Sequence, residues 1–179
     1  MARKTQKNIE SDANNLLNQL GIEGAPVPVE DVAASLGLRL EFTFLGDDIS
    51  GALVLKGDRG TIGINHTQAP VRQRFTIAHE IGHYLLHRGS THLFIDKKAT
   101  VVFRRDQDSS AGEQWQEIQA NQFAACLLMP KSFIERAMGS VNYKMSDEEI
   151  IESLAGLFDV SVQAMSIRLA SLGYVELSE

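Results

Sequence analysis

The chain switches between two hydrophobic periods. In residues 7–20, Ile9, Ala13, Leu16, Leu17 and Leu20 share one stripe, which predicts a helix stopped by Gly21. Pro26-Val27-Pro28 predicts an extended entry to a short helix over 29–36, closed by Gly37. The period then falls to two. Leu38, Leu40, Phe42 and Phe44 alternate with Arg39, Glu41 and Thr43, as in a half-buried strand. Turn residues at Gly46-Asp47-Asp48 and Gly57-Asp58-Arg59-Gly60 set off two further strands, over 50–55 and 61–65. A small antiparallel sheet is expected from these three.

Helical spacing returns from Pro70 to His87, ending near Gly89. Residues 90–108 read as polar and irregular, apart from a β-like piece at 100–103. A capping box at Ser110-Ala111-Gly112-Glu113 predicts a helix that runs through Leu128 and stops at Pro130. A second box at Ser146 to Glu149 opens a helix through Leu157, and Ser161 caps a last helix ending at Gly173. The expected class is α+β and mostly helical. Residues 1–130 form the core with its sheet, and residues 131–179 form a helical part with a helix-turn-helix look.

Charge and cysteine count narrow the function classes. A net charge of −6 argues against a phosphate-binding surface. The single cysteine, Cys126, excludes an intrachain disulfide and a cysteine-based zinc cluster; its neighbours Ala125, Leu127 and Leu128 make it a small buried hydrophobe. No apolar run approaches the ~20 residues needed to cross a bilayer, and no signal peptide is recognisable, so a cytoplasmic protein without membrane contact is expected.

The chemistry is concentrated in His79-Glu80-Ile81-Gly82-His83. Two histidines four apart on a helix share one face, close enough to bind one ion. Glu80 is offset by about 100° around the helix, where its carboxylate can act on a water at the metal as a general base. Apolar flanks, Ile77, Ala78, Ile81, Leu85 and Leu86, make this helix a buried one. Gly82 inside it costs ~1 kcal/mol against alanine, which points to close approach by another backbone.

Two histidines leave a catalytic zinc site one protein ligand short. Glu117, on the helix that ends at Leu128, is the candidate third ligand; an exposed helix carboxylate is the plain alternative. Asn121, four residues on, shares its face and is placed to support a ligating histidine through its side-chain oxygen. His87 lies ~12 Å along the helix from His79, too far for one ion, and reads as a helix-end residue. His66 and His92 read as ordinary polar positions. Tyr84, His66, His92 and Tyr143 are all candidates for stabilising an oxyanion.

With these residues placed, the chain resembles the ImmA/IrrE family of bacterial and phage metallopeptidases. The resemblance is carried by RFTIAHEIGHYLLH and EIQANQFAACLLMP, and extends to ISGALV, GTIGIN and VSVQAMSIRLASLGY. It implies a zincin-like fold and a Zn2+ ion held by His79, His83 and Glu117, with Glu80 catalytic. It also implies an endopeptidase whose partner is a helix-turn-helix repressor of a mobile element or stress regulon, often encoded nearby. Some members carry a sensory domain beyond the helical part; the chain ends at Glu179, so direct small-molecule sensing is not expected.

Two rival readings stand beside this one. A non-catalytic protein that sequesters a repressor would keep zinc for structure alone. A DNA-binding regulator would use the last two helices with Arg168. Residues 141–179 hold two basic residues, Lys144 and Arg168, against seven acidic ones, which opposes phosphate contact. An extended substrate is expected to pair with the sheet along residues 50–55 or 61–65. Gly51 and Gly63 either admit that peptide or relieve packing on the zinc helix.

Overall fold

A computed structural model describes residues 6–56, 59–87, 93–97, 110–139 and 146–176. Helix α1 (Gln6–Gln19) leads through cis-Pro26 to α2 (Val29–Ser35). Strands β1 (Leu38–Thr43), β2 (Ile49–Lys56) and β3 (Arg59–Asn65) precede helix α3 (Pro70–His87). Strand β4 (Leu93–Lys97) is followed by α4 (Ser110–Leu128), α5 (Lys131–Met138), α6 (Asp147–Phe158) and α7 (Val162–Ser171). The N-caps of the last two helices take the expected form. Ser146 and Glu149 close a full capping box on α6, and Ser161 Oγ accepts from the Ala164 amide on α7. Helix α4 starts at Ser110 as the first capping box predicts; the Glu113 side chain lies outside the description.

The sheet differs from the expected one in two ways. Among the described residues it has four strands in the order β1-β3-β2-β4, and it is mixed. Strand β3 inserts between β1 and β2, parallel to β1 and antiparallel to β2. The cause is local. The connection from β1 to β2 passes over the end of β3, where the buried Asn65 amide donates to Gly46 O at 2.7 Å and Ile49 O at 2.8 Å. Strand β4, antiparallel to β2, falls in the stretch read as irregular. The β-like piece at 100–103 lies outside the described residues. Among the described residues the outer strands are therefore β1 and β4. Residues 50–55 and 61–65 lie on interior strands, so the expected pairing of a substrate along either is overturned.

One sheet face carries the core. Leu53, Ile62 and Ile64 are fully buried beneath Ile77, Ala78 and Ile81 of α3. Each such side chain contributes about 1.5–3 kcal/mol by leaving water. On the far side of α3 runs α4, and the two are close at Gly82. A Cβ there would lie 3.1 Å from Ala120 Cα and 3.2 Å from Ala120 O. Gly82 is thus the close backbone approach that its helical cost implies.

The last two helices are tied to this core by two arginines. Arg74 of α3 donates to Val27 O at 2.9 Å and to Asp159 O at 3.0 Å, and pairs with the Asp159 carboxylate at 3.1 Å. Arg168 of α7, only 4% exposed, donates to Met129 O at 3.0 Å and to Glu10 of α1 at 2.7 Å. Arg168 is therefore a buried clamp and not a surface cation. Among the described residues no single helix is long and apolar enough to cross a membrane.

Candidate metal centre

Helix α3 sets the geometry. Its 3.6-residue repeat places His79 and His83 on the face toward α4, and Thr76 and Glu80 on the face toward β2. All four are buried. The two imidazoles meet edge to face with Nε2 atoms 2.9 Å apart. The contact at Gly82 and Ala120 brings the preceding turn of α4 opposite them. Glu117 Oε2 lies 3.2 Å from His79 Nε2, and Glu117 Oε1 lies 3.1 Å from His83 Nε2. Glu117 is 44% exposed, so the site opens to solvent on its side.

Electrostatics bind this group together. Partial burial pushes the Glu117 carboxyl up, but hydrogen bonds to His79 and His83 and their charge outweigh it and hold it at about 2. Asn121 Oδ1 lies 3.0 Å from His79 Nδ1. An amide oxygen only accepts, so Nδ1 carries a proton; whenever the ring is neutral, Nε2 is the nitrogen whose lone pair is free toward Glu117 and His83.

The donor set fits a zinc ion. One ligand atom from each of His79, His83 and Glu117 can be chosen so that all lie within 4.8 Å of one another. With neutral rings, lone pairs and a carboxylate face one point, and a cation satisfies all three. Two imidazoles and one carboxylate form a catalytic type of zinc site, with three protein ligands and a position left open.

Among the described residues, none of the other sequence candidates joins this three-residue cluster. His87 is buried, although it ends α3; its ring lies 5.6 Å from that of His83, outside the three-residue cluster. His66 is exposed, and its backbone carbonyl accepts from Gln73. Tyr84 is half-buried against the core. His92 and Tyr143 lie outside the described residues. Gly63 faces Leu45, whereas Gly51 packs on Thr76 beside Glu80, so relief of packing on α3 is the reading that holds for Gly51.

A feature that the residue pattern does not signal runs from this centre toward α7. A groove of about 610 Å³ is lined by Val71 and Phe75 of α3, Asn121 and Met129 at the two ends of its α4 wall, and Ala164 and Ile167 of α7. It is mostly apolar. Cys126 also lines it; the residue is 3% exposed, and burial pushes its thiol up.

The chain is similar to a Mycobacterium tuberculosis transcriptional regulator of known structure, with 18% identity and a TM-score of 0.62 over 91% of the chain. It spans 46% of that protein's length, and the likeness at this identity concerns the fold. No curated protein matches the chain. The family profile described as IrrE N-terminal-like domain, a peptidase family designated M78, matches residues 33–170, from α2 to α7. With that match over most of its length, the chain belongs to the IrrE N-terminal-like peptidase family.

Proposed function

We propose that this protein is a zinc-dependent endopeptidase of the cytoplasm. Its substrate would be a helix-turn-helix transcriptional repressor of a mobile element or stress regulon, encoded nearby. The observation that carries the reading is the convergence of His79, His83 and Glu117 beside the buried Glu80. Family membership supports peptidase chemistry, and the repressor substrate follows from the family resemblance.

His79, His83 and Glu117 would hold the ion. When bound, it supplies Lewis acidity, which polarises a scissile carbonyl and lowers the pKa of water toward neutrality. Glu80 accepts the proton of the attacking water and delivers it to the leaving amine. Asn121 keeps the His79 ring in the tautomer and orientation that present Nε2. The groove beside Phe75 and Asn121 gives apolar side chains flanking the scissile bond a place to bury.

The test uses zinc-loaded protein and a helix-turn-helix repressor encoded beside it. Mass spectrometry of the products should reveal a discrete internal cut. Glu80→Gln should still bind the repressor and leave it whole. Equal binding by both proteins with no cut by either would support repressor sequestration instead.

A further inference from the structure

We propose that Gly51 and Thr76 are positioning residues that set the place of the Glu80 carboxylate, a claim that rests on the peptidase reading for its catalytic meaning. Glu80 is fully buried, and on the sheet side Gly51 lies beside its carboxylate. A Cβ built on Gly51 would overlap Thr76 Cγ2 and would lie 3.5 Å from Glu80 Oε1 and 3.1 Å from Gly63 O. Gly51 does not have a left-handed φ, so its backbone conformation accepts a side chain. Packing against α3 is what excludes one.

The strand cannot yield to such a side chain. Gly51 lies on an interior strand, paired to Ile64 on one side and to Asp96 on the other. The register steps from Ile49 with Lys97 to Gly51 with Asp96, so two steps along β2 meet one along β4 and Ser50 is bulged. Both residues before Gly51 are fixed. The Asn65 amide donates to Ile49 O at 2.8 Å, and the Arg72 guanidinium donates to the buried Ser50 Oγ at 3.1 Å. Arg72 itself belongs to α3, so the bulge is tied directly to the zinc helix.

Thr76 is equally stiff. It is fully buried, β-branched and one turn before Glu80 on the same helix face. A methyl group added at Gly51 therefore forces Thr76 to move; the Glu80 carboxylate, one turn on and at ordinary contact distance from the same methyl, is the neighbour against which that movement acts. A misplacement of ~1 Å near reacting groups costs on the order of 100-fold in rate. His79, His83 and Glu117 are not among the neighbours that a Cβ at Gly51 would meet most closely.

The experiment compares zinc-loaded wild type, Gly51→Ala and Gly51→Ala with Thr76→Ser. Serine keeps the hydroxyl and lacks the Cγ2 that the new methyl meets. Each protein is assayed on the same peptide for kcat and KM, analysed for zinc and crystallised. Gly51→Ala should show a displaced Glu80 carboxylate and a kcat at least ~10-fold lower, with KM and zinc content kept. The double variant should restore both kcat and the Glu80 position. A superimposable Glu80 in Gly51→Ala, or a double variant with Glu80 still displaced, overturns the proposal. If Gly51→Ala does not fold, the Glu80 position in the double variant decides. If zinc-loaded wild type cuts no peptide, the peptidase reading fails, and the crystal structures still decide the positioning claim.

Discussion

His79 Nδ1 lies 3.0 Å from Asn121 Oδ1, one helix turn along α4 from the carboxylate that meets the same ring at Nε2. The two nitrogens of one imidazole are thus assigned by two residues of one helix face. Asn121→Ala removes the acceptor that holds the tautomer. Zinc affinity should fall about 10–100-fold while the fold persists. Competition against a chelator of known affinity checks this; an unchanged affinity would mean that His79 needs no orienting partner.

Gly82→Ala probes the same geometry from the opposite direction. The added methyl lies 3.2 Å from Ala120 O and Phe123 Cβ, so α4 must shift by a few tenths of an ångström. Helix propensity favours alanine by ~1 kcal/mol, and overpacking costs about 1–3 kcal/mol. The balance is a loss of about 0–2 kcal/mol. Zinc affinity should drop measurably, because Glu117 moves with α4. Calorimetric titration of zinc alongside thermal denaturation separates the two effects.

Acid should weaken the metal-free protein through Glu117. Its folded pKa, about 2, lies below the usual value of 4.5. A depressed carboxylate contributes stability that is full above the unfolded pKa and is lost as pH falls through the folded one. The contribution should therefore decline between pH 4.5 and 2. The group is half-exposed, so salt should reduce it further. Melting temperatures of metal-free wild type and Glu117→Gln, measured across this range, should converge as pH falls. A constant gap would contradict the assignment.

Helix α3 is the part of the site most legible in the sequence. A spacing of four, apolar flanks and an internal glycine are local signals, and α3 keeps the expected bounds. Glu117 and Asn121 were legible as a pair because they too are one turn apart. The sheet was not. Alternation tells which face a residue takes, but not which strand lies beside it, and Asn65 decides that from a position outside the pattern. The short strand Leu93–Lys97 offers too little periodicity to stand out among polar neighbours. Gly51 was weighed as a possible peptide contact because its partner, Thr76, lies on another element. Arg168 reads as a surface cation in an acidic segment; its ion-pair partner is 158 residues away.

That partner makes Arg168 a stability residue. Breaking a buried ion pair by removing one member costs about 3–5 kcal/mol, and the quarter-exposed Glu10 places this pair at the lower end. Arg168→Ala should lower the melting temperature by roughly 6–12 °C in a chain of this size. Zinc content should be unaffected. Tight, salt-dependent duplex binding abolished by this substitution would instead favour the DNA-binding reading.

Zinc content per chain tests the account most directly. Metal analysis of purified wild type should give about one zinc per chain, as a site with three protein ligands requires. His79→Ala, His83→Ala and Glu117→Ala should each lose most of it, because each removes one of the three converging donors. Glu80→Gln should retain it, because Glu80 faces β2 and is outside the three-residue cluster. Full zinc in any of the three ligand variants, or loss of zinc in Glu80→Gln equal to that in His79→Ala, would contradict the assignment of roles.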